Sequence, residues 1–188
     1  MRKAIFLDRD GVLIKSAVRN GKPFAIDEGE AVEIIDGVLK ACADLAAAGF
    51  MLIMVSNQPD VARGRTSRAF VEGVNTELVQ ALQLDEVLVC FHDDSDKCNC
   101  RKPKPGLMLD AASRHNLELS HCIMVGDRWR DIEAGRNAGV ITVLVDYGYD
   151  ETRPEAPDYT AKSLADAAHW ICSTLAGGFP IEFSGSSA

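Results

Sequence analysis

Five short, almost unbroken apolar runs punctuate the chain, at residues 3–7, 50–55, 86–91, 122–125 and 140–145. Between and after them, apolar residues recur at helical spacing over 37–48, 67–82, 106–116, 131–138 and 163–175. A run of this kind without polar alternation suits a strand covered on both faces, whereas the 3.6-residue repeat marks a helix with one buried side. Strands alternating with helices predict stacked βαβ units and an α/β fold with a mainly parallel sheet. The punctuation agrees. Asp36 is placed to cap the first helix and Gly49 to end it, Thr66 or Ser67 to cap the second, and Gly139 to close the helix that begins near Asp131. Residues 1–176 read as one domain, and the Gly- and Ser-rich stretch 177–188 reads as a loosely held tail.

Composition narrows the functions open to such a fold. With 188 residues, 47% of them apolar, the chain can bury one full core and not two comfortable ones. A net charge of -8, with acidic residues along the whole length, argues against nucleic acid, so any phosphate site must be basic only locally. The start, Met1-Arg2-Lys3 and a few apolar residues before Asp8, is too short for a signal peptide, and residues 50–55 are too few to span a bilayer. A soluble cytoplasmic protein is expected, without a membrane partner. It is also expected to be a monomer, because no helical pattern shows a second apolar stripe.

Polar residues sit at the C-terminal ends of these runs, where open α/β sheets place their sites. The first run is followed by Asp8-Arg9-Asp10-Gly11, in which strand alternation lets both carboxylates face one way while Arg9 faces elsewhere. Paired carboxylates suit a hard cation such as Mg2+, although an Asx-type turn would use the same residues. The second run ends in Ser56-Asn57-Gln58, a hydroxyl and two amides able to bind phosphate oxygens or simply to make a turn. After the third comes Arg101-Lys102-Pro103-Lys104-Pro105-Gly106, three cations stiffened by proline at a helix start, which together form an anion site. The fourth leads to Asp127 and, one turn on, Asp131, with Arg128 between them.

A second constellation lies within eleven residues. Cys90-Phe91-His92 and Cys98-Asn99-Cys100 offer three thiols and one imidazole, a complete tetrahedral set for a structural Zn2+ with no position left for water. A redox pair would call for Cys-x-x-Cys, which is absent. The loop runs directly into Arg101 and Lys102, so zinc there would order the backbone that carries the cations.

Taken in order, Asp8-Arg9-Asp10-Gly11-Val12, Ser56, Lys102 and Gly126-Asp127 with Asp131 resemble the four motifs of the haloacid dehalogenase superfamily, over residues 3–146. The resemblance implies a Rossmann-like three-layer sandwich and phosphoryl transfer through an aspartyl-phosphate. Asp8 would be the nucleophile and Asp10 the general acid and base. Ser56 and Lys102 would bind the transferring group, with Lys104 a rival for Lys102. Mg2+ would be held by Asp8, the Asp10 carbonyl and Asp127, with Asp131 behind them. The zinc loop resembles the cap-less subgroup that includes heptose-bisphosphate 7-phosphatases and histidinol-phosphate phosphatases. Without a cap domain, substrate would be read by loops, chiefly residues 15–30. Asn57, Gln58, Arg101 and Arg128 are the expected contacts to a small phosphosugar, heptose bisphosphate being favoured over histidinol phosphate. Pro59-Asp60 and the long 15–30 loop depart from the heptose pattern. A non-catalytic phosphosugar-binding module is the reading from another class, and a DNA-end phosphatase is disfavoured by the acidic balance.

Overall fold

Along the first strand, β1 (Ala4–Leu7), Ile5 and Leu7 join one apolar cluster while Ala4 and Phe6 join another. That alternation builds a sheet with a core on each face, seen in a computed structural model that describes residues 2–175. A hairpin follows, β2 (Ala17–Arg19) and β3 (Lys22–Phe24), and then α1 (Val38–Ala47), β4 (Met51–Asn57), the single turn α2 (Pro59–Ala62) and α3 (Arg68–Leu82). The second half runs β5 (Glu86–Cys90), α4 (Gly106–His115), β6 (Ile123–Gly126), α5 (Trp129–Ala138), β7 (Ile141–Val145), β8 (Tyr159–Ala161) and α6 (Leu164–Leu175). The tail expected over 177–188 lies outside the described residues.

Six strands form one sheet in the order β5-β4-β1-β6-β7-β8, every pair parallel. One face is covered by α1, α3 and α6, whose Leu45, Leu78 and Ile171 pack in the cluster of Ile5 and Leu7. The other is covered by α4 and α5, whose Met108 and Ala134 pack with Phe6 and Val55. Each large apolar side chain fully buried in these layers stabilises the fold by about 1.5–3 kcal/mol relative to exposure. Because β1 lies between β4 and β6, the chain direction across the sheet reverses beside it, and a crevice opens at the C-terminal ends of these strands.

The five expected strands and five expected helices are present, with ends shifted by up to two residues. Two local expectations differ. Gly37, in the left-handed region at φ 84°, occupies the cap position of α1 with no side-chain acceptor, so Asp36 lies one residue outside it. Residues 15–30, expected as a loop, contain the β2–β3 hairpin, tied to the body where Asp150 N donates to Gly21 O at 2.8 Å. Ser67 does cap α3, its Oγ accepting from Phe70 N at 3.1 Å, and Gly139 closes α5 in the left-handed region. No helix among the described residues is long and apolar enough to cross a membrane.

Candidate active site

Asp8 follows directly on β1, and its N–H donates to Val125 O of β6 at 3.0 Å, which extends the sheet ladder by one residue and turns the carboxylate into the crevice. Lys102, from the loop between β5 and α4, reaches the same place from the other side. Its Nζ donates to Asp8 Oδ1 at 2.8 Å and to Val55 O at 2.9 Å, and it lies 2.5 Å from Asp131 Oδ1. Asp131 is held in turn by the start of α5, its Oδ2 accepting from Arg128 N at 3.1 Å. Lys104 does not compete: its Nζ donates to Cys98 O at 2.6 Å and Lys97 O at 3.3 Å, away from the carboxylates.

Asp127 stands differently. It is buried, and neither carboxylate oxygen makes a hydrogen bond of ordinary geometry, although the nearby Tyr149 hydroxyl interacts with it weakly. The Tyr149 hydroxyl lies on Ser16 Oγ at 3.2 Å. One oxygen from each of Asp8, Asp127 and Asp131 falls within 4.8 Å of the others. Burial pushes Asp8 up to about 7 against the opposing charge of Lys102, with Asp131 adding to the rise. Burial and the charges of Asp8 and Asp131 carry Asp127 well above the usual carboxylate range. For Lys102 burial would depress the ammonium, but Asp131 and Asp8 hold it above its ordinary value. Two glycines make room for these acids: a Cβ at Gly11 would overlap the Asp127 side chain, and one at Gly126 the Asp131 side chain.

Asp10 is held by a separate network. Arg9 does not face away from it as alternation suggests. The side chain is 1% exposed and curls back to give Nε to Asp10 Oδ2 at 3.0 Å and Nη2 to Oδ1 at 3.2 Å, while Nη1 reaches Asn75 Oδ1 at 3.3 Å. The physical reason is that a buried guanidinium must be paired. Gln58 Nε2 donates to Asp10 Oδ2 at 2.8 Å and Ser56 Oγ at 2.9 Å. Gln58, expected at the substrate, is 1% exposed and spends its amide on these partners. Asn57, also expected there, borders the cleft but turns its amide onto the Lys102 main chain.

The cleft over Asp8, Asp10 and Lys102 measures about 300 Å3. Its roof is the hairpin, through Lys22, Pro23 and Phe24, and its rim carries Arg63, Arg101, Arg128 and Arg130. Arg128 is not simply solvated: it forms a two-pronged ion pair with Glu151, which offsets its charge. Arg101 pairs with Asp94 through Nε at 2.8 Å, while its buried Nη1 has no partner. The roof belongs to the 15–30 segment expected to face the substrate, whereas roles for Arg9, Asn75, Arg63 and Arg130 carried no signal in the sequence.

At the end of β5 the four expected zinc ligands converge, their ligand atoms within 4.8 Å of one another. Cys100 Sγ lies 3.2 Å from Cys90 Sγ and 3.3 Å from His92 Nδ1, and Cys98 Sγ lies 3.7 Å from Cys90 Sγ. Close behind, Gly106 N donates to Asn99 O at 3.1 Å, an approach a side chain at Gly106 would obstruct.

A parallel sheet with this strand order, ending in three clustered carboxylates and a buried lysine, defines a haloacid-dehalogenase-like hydrolase, and a HAD-hydrolase-like family model matches residues 99–167. The chain is 36% identical over 180 residues to the D-glycero-beta-D-manno-heptose-1,7-bisphosphate 7-phosphatase of Pasteurella multocida, covering 88% of this chain and 95% of that one. It is 35% identical to the D-glycero-D-manno-heptose-1,7-bisphosphate 7-phosphatase of Thermosynechococcus vestitus, covering 93% and 98%. The solved D,D-heptose 1.7-bisphosphate phosphatase from B. bronchiseptica, complexed with magnesium and phosphate, superposes with a TM-score of 0.75 at 29% identity, over 92% of this chain and 99% of that one. The protein belongs to this family of haloacid-dehalogenase-like phosphatases and is a phosphoric monoester hydrolase.

Proposed function

We propose that the protein removes the 7-phosphate of D-glycero-D-manno-heptose 1,7-bisphosphate through an aspartyl-phosphate on Asp8. The observation that carries the chemistry is Lys102 fixed between Asp8 and Asp131, beside a buried Asp127 whose two oxygens lack a hydrogen bond of ordinary geometry. A buried carboxylate without a partner is costly, and an all-oxygen cluster matches a hard cation. Mg2+ fits these residues: the side chains of Asp8 and Asp127 and the Asp10 carbonyl would hold it, with Asp131 behind, and when bound it neutralises charge on the phosphoryl group. The relatives' activity supports the sugar.

Asp8 must attack as the anion, and Lys102 opposes the burial that would protonate it. A carboxylate oxygen of Asp8 forms the new P–O bond while the bond to the sugar oxygen breaks, and Asp10 supplies the proton that oxygen takes up. Asp10 then removes a proton from the water that attacks the aspartyl-phosphate, freeing inorganic phosphate and restoring Asp8. Arg9 and Gln58 aim Asp10 for both transfers. Ser56 Oγ accepts from Gln58, which leaves its own proton to donate to a phosphoryl oxygen alongside Lys102. Arg101, with Nη1 unpaired, and Arg128 face the far end of the sugar from the rim, and Asn57 borders the same space. Cys90, His92, Cys98 and Cys100 hold a structural Zn2+ that orders the loop leading to Arg101 and Lys102. The protein acts in the cytoplasm as a monomeric single domain over residues 1–176.

The test is phosphate release with Mg2+ and after EDTA, across both anomers of heptose 1,7-bisphosphate, other sugar phosphates and histidinol phosphate. Mg2+-dependent release with preference for a heptose bisphosphate is expected. Preference for histidinol phosphate would overturn the substrate, and release unaffected by EDTA would overturn the metal.

A further inference from the structure

Three guanidinium groups on the cleft rim lean on a single carboxylate. Asp94, on the zinc loop, takes Arg101 Nε on Oδ1 at 2.8 Å, and Arg130 Nη1 lies 4.0 Å from the same oxygen. Arg63 Nη2 lies 3.6 Å from Oδ2. Arg63 has further partners in Asp93, at 2.7 Å, and Asp60, at 3.4 Å, whereas Arg101 and Arg130 have no other carboxylate among the described residues. One negative charge therefore serves two cations that lack any other. The shortfall is visible in the hydrogen bonding, where the buried Nη1 of Arg101 has no acceptor. Across the cleft Lys22, on the hairpin, also lines the space and makes no ion pair among the described residues.

Asp94 is also the least anchored member of the group. Its side chain is 58% exposed, so its ion pairs are solvent-screened and weak compared with charge-assisted contacts to a dianion. It borders two spaces at once, the catalytic cleft and a hollow of about 140 Å3 lined by Lys97 and Lys104 on the other side. A carboxylate pushed off Arg101 and Arg130 thus has a basic place to go.

We propose that Asp94 is a displaceable internal counter-ion, standing where the phosphate at the far end of the substrate binds across Arg101 and Arg130, with Lys22 closing over it from the hairpin. The inference rests on the reading of the substrate as a bisphosphate, and it adds the residues that discriminate a bisphosphate from its monophosphate. Arg130 lines the space, Lys22 completes it, and Asp94 keeps the arginines in place, and weaker anions out, until the second phosphate arrives.

The experiment is equilibrium binding with Mg2+ in an Asp8→Asn background, so that nothing is turned over. Two pairs are compared, heptose 1,7-bisphosphate with heptose 7-phosphate, and fructose 1,6-bisphosphate with fructose 6-phosphate. Arg130→Ala should weaken the bisphosphates by about tenfold or more while moving the monophosphates less than about twofold, as expected when a charged contact to only one ligand of each pair is lost. Lys22→Ala should act the same way with a smaller effect. Asp94→Asn, an exposed and nearly isosteric change, should tighten the bisphosphates several-fold and leave the monophosphates alone. Weaker or unchanged bisphosphate binding in Asp94→Asn for both sugars would overturn the counter-ion role, and equal losses for both members of both pairs in Arg130→Ala would overturn the distal site. Selective effects confined to the fructose pair would sink the heptose reading and leave this inference standing.

Discussion

Asn57 grips the main chain of Lys102 twice, Nδ2 donating to Lys102 O at 3.0 Å and Oδ1 accepting from Lys102 N at 3.0 Å. The two residues are 45 apart in sequence, so a side chain at the end of β4 sets where the lysine from the next loop begins its reach toward Asp8. Replacing Asn57 with Ala should lower kcat by about 10- to 100-fold, since small misplacements of a catalytic group cost that much. Two lost hydrogen bonds should also cost about 1–3 kcal/mol of stability. Steady-state kinetics and denaturant unfolding check this. A rise in KM at constant kcat would instead make Asn57 a substrate contact.

Asp8→Asn should reduce turnover by more than about 1,000-fold, because an amide cannot form the acyl phosphate. Circular dichroism should stay that of the parent, and substrate should still bind. Turnover near the parent level would remove the aspartyl-phosphate from the mechanism.

A methyl group at Gly126 would overlap the Asp131 side chain, and through it disturb Lys102. Gly126→Ala is therefore expected to cost about 1–3 kcal/mol from overpacking and to depress activity further than that instability explains. Melting temperature and kcat measured on one preparation separate the two.

Without metal, stability should fall as pH rises across neutrality's acid side. Burial lifts Asp8 from 3.8 to about 7, so between those values the folded chain binds a proton that the unfolded chain does not, and each pH step upward favours unfolding. Asp127 shifts in the same direction. A divalent cation removes the penalty by compensating the carboxylates. Mg2+ should therefore raise the melting temperature more at about pH 8 than at about pH 5. An equal increment at both would mean that the cation does not bind these acids.

Cys98→Ser should release the zinc, lower the melting temperature and reduce activity together, because the loop it orders leads into Lys102. Metal content by atomic absorption gives the first readout. Full zinc occupancy in the variant would show that the four residues are not a ligand set.

Much of the molecule was legible from residues alone. Runs such as Ile123–Gly126 declare a buried strand because no polar side chain interrupts them, and Ser67 caps α3 with neighbours within three residues. The carboxylates and the lysine stood out only as an ordered set resembling a family, since each alone could be a turn or a solvated charge, while the Cys and His residues stood out by their short spacing, and these two groups do cluster. The elements missed are brief and half-exposed: β8 has three residues, and the strands of the hairpin alternate weakly with solvent on both sides.

Sequence by itself thus determined the layered parallel fold and which polar residues stand at the C-terminal ends of its strands, since periodicity and side-chain chemistry are local properties. Tertiary structure alone decided what each polar group meets. Only packing could bring Arg9 back onto Asp10, turn Asn57 toward Lys102, send Lys104 to the Cys98 carbonyl and leave the buried Asp127 oxygens without a hydrogen bond of ordinary geometry. Those outcomes depend on which distant backbone arrives beside a side chain and on whether water can follow it, and neither is written in the spacing of residues along the chain.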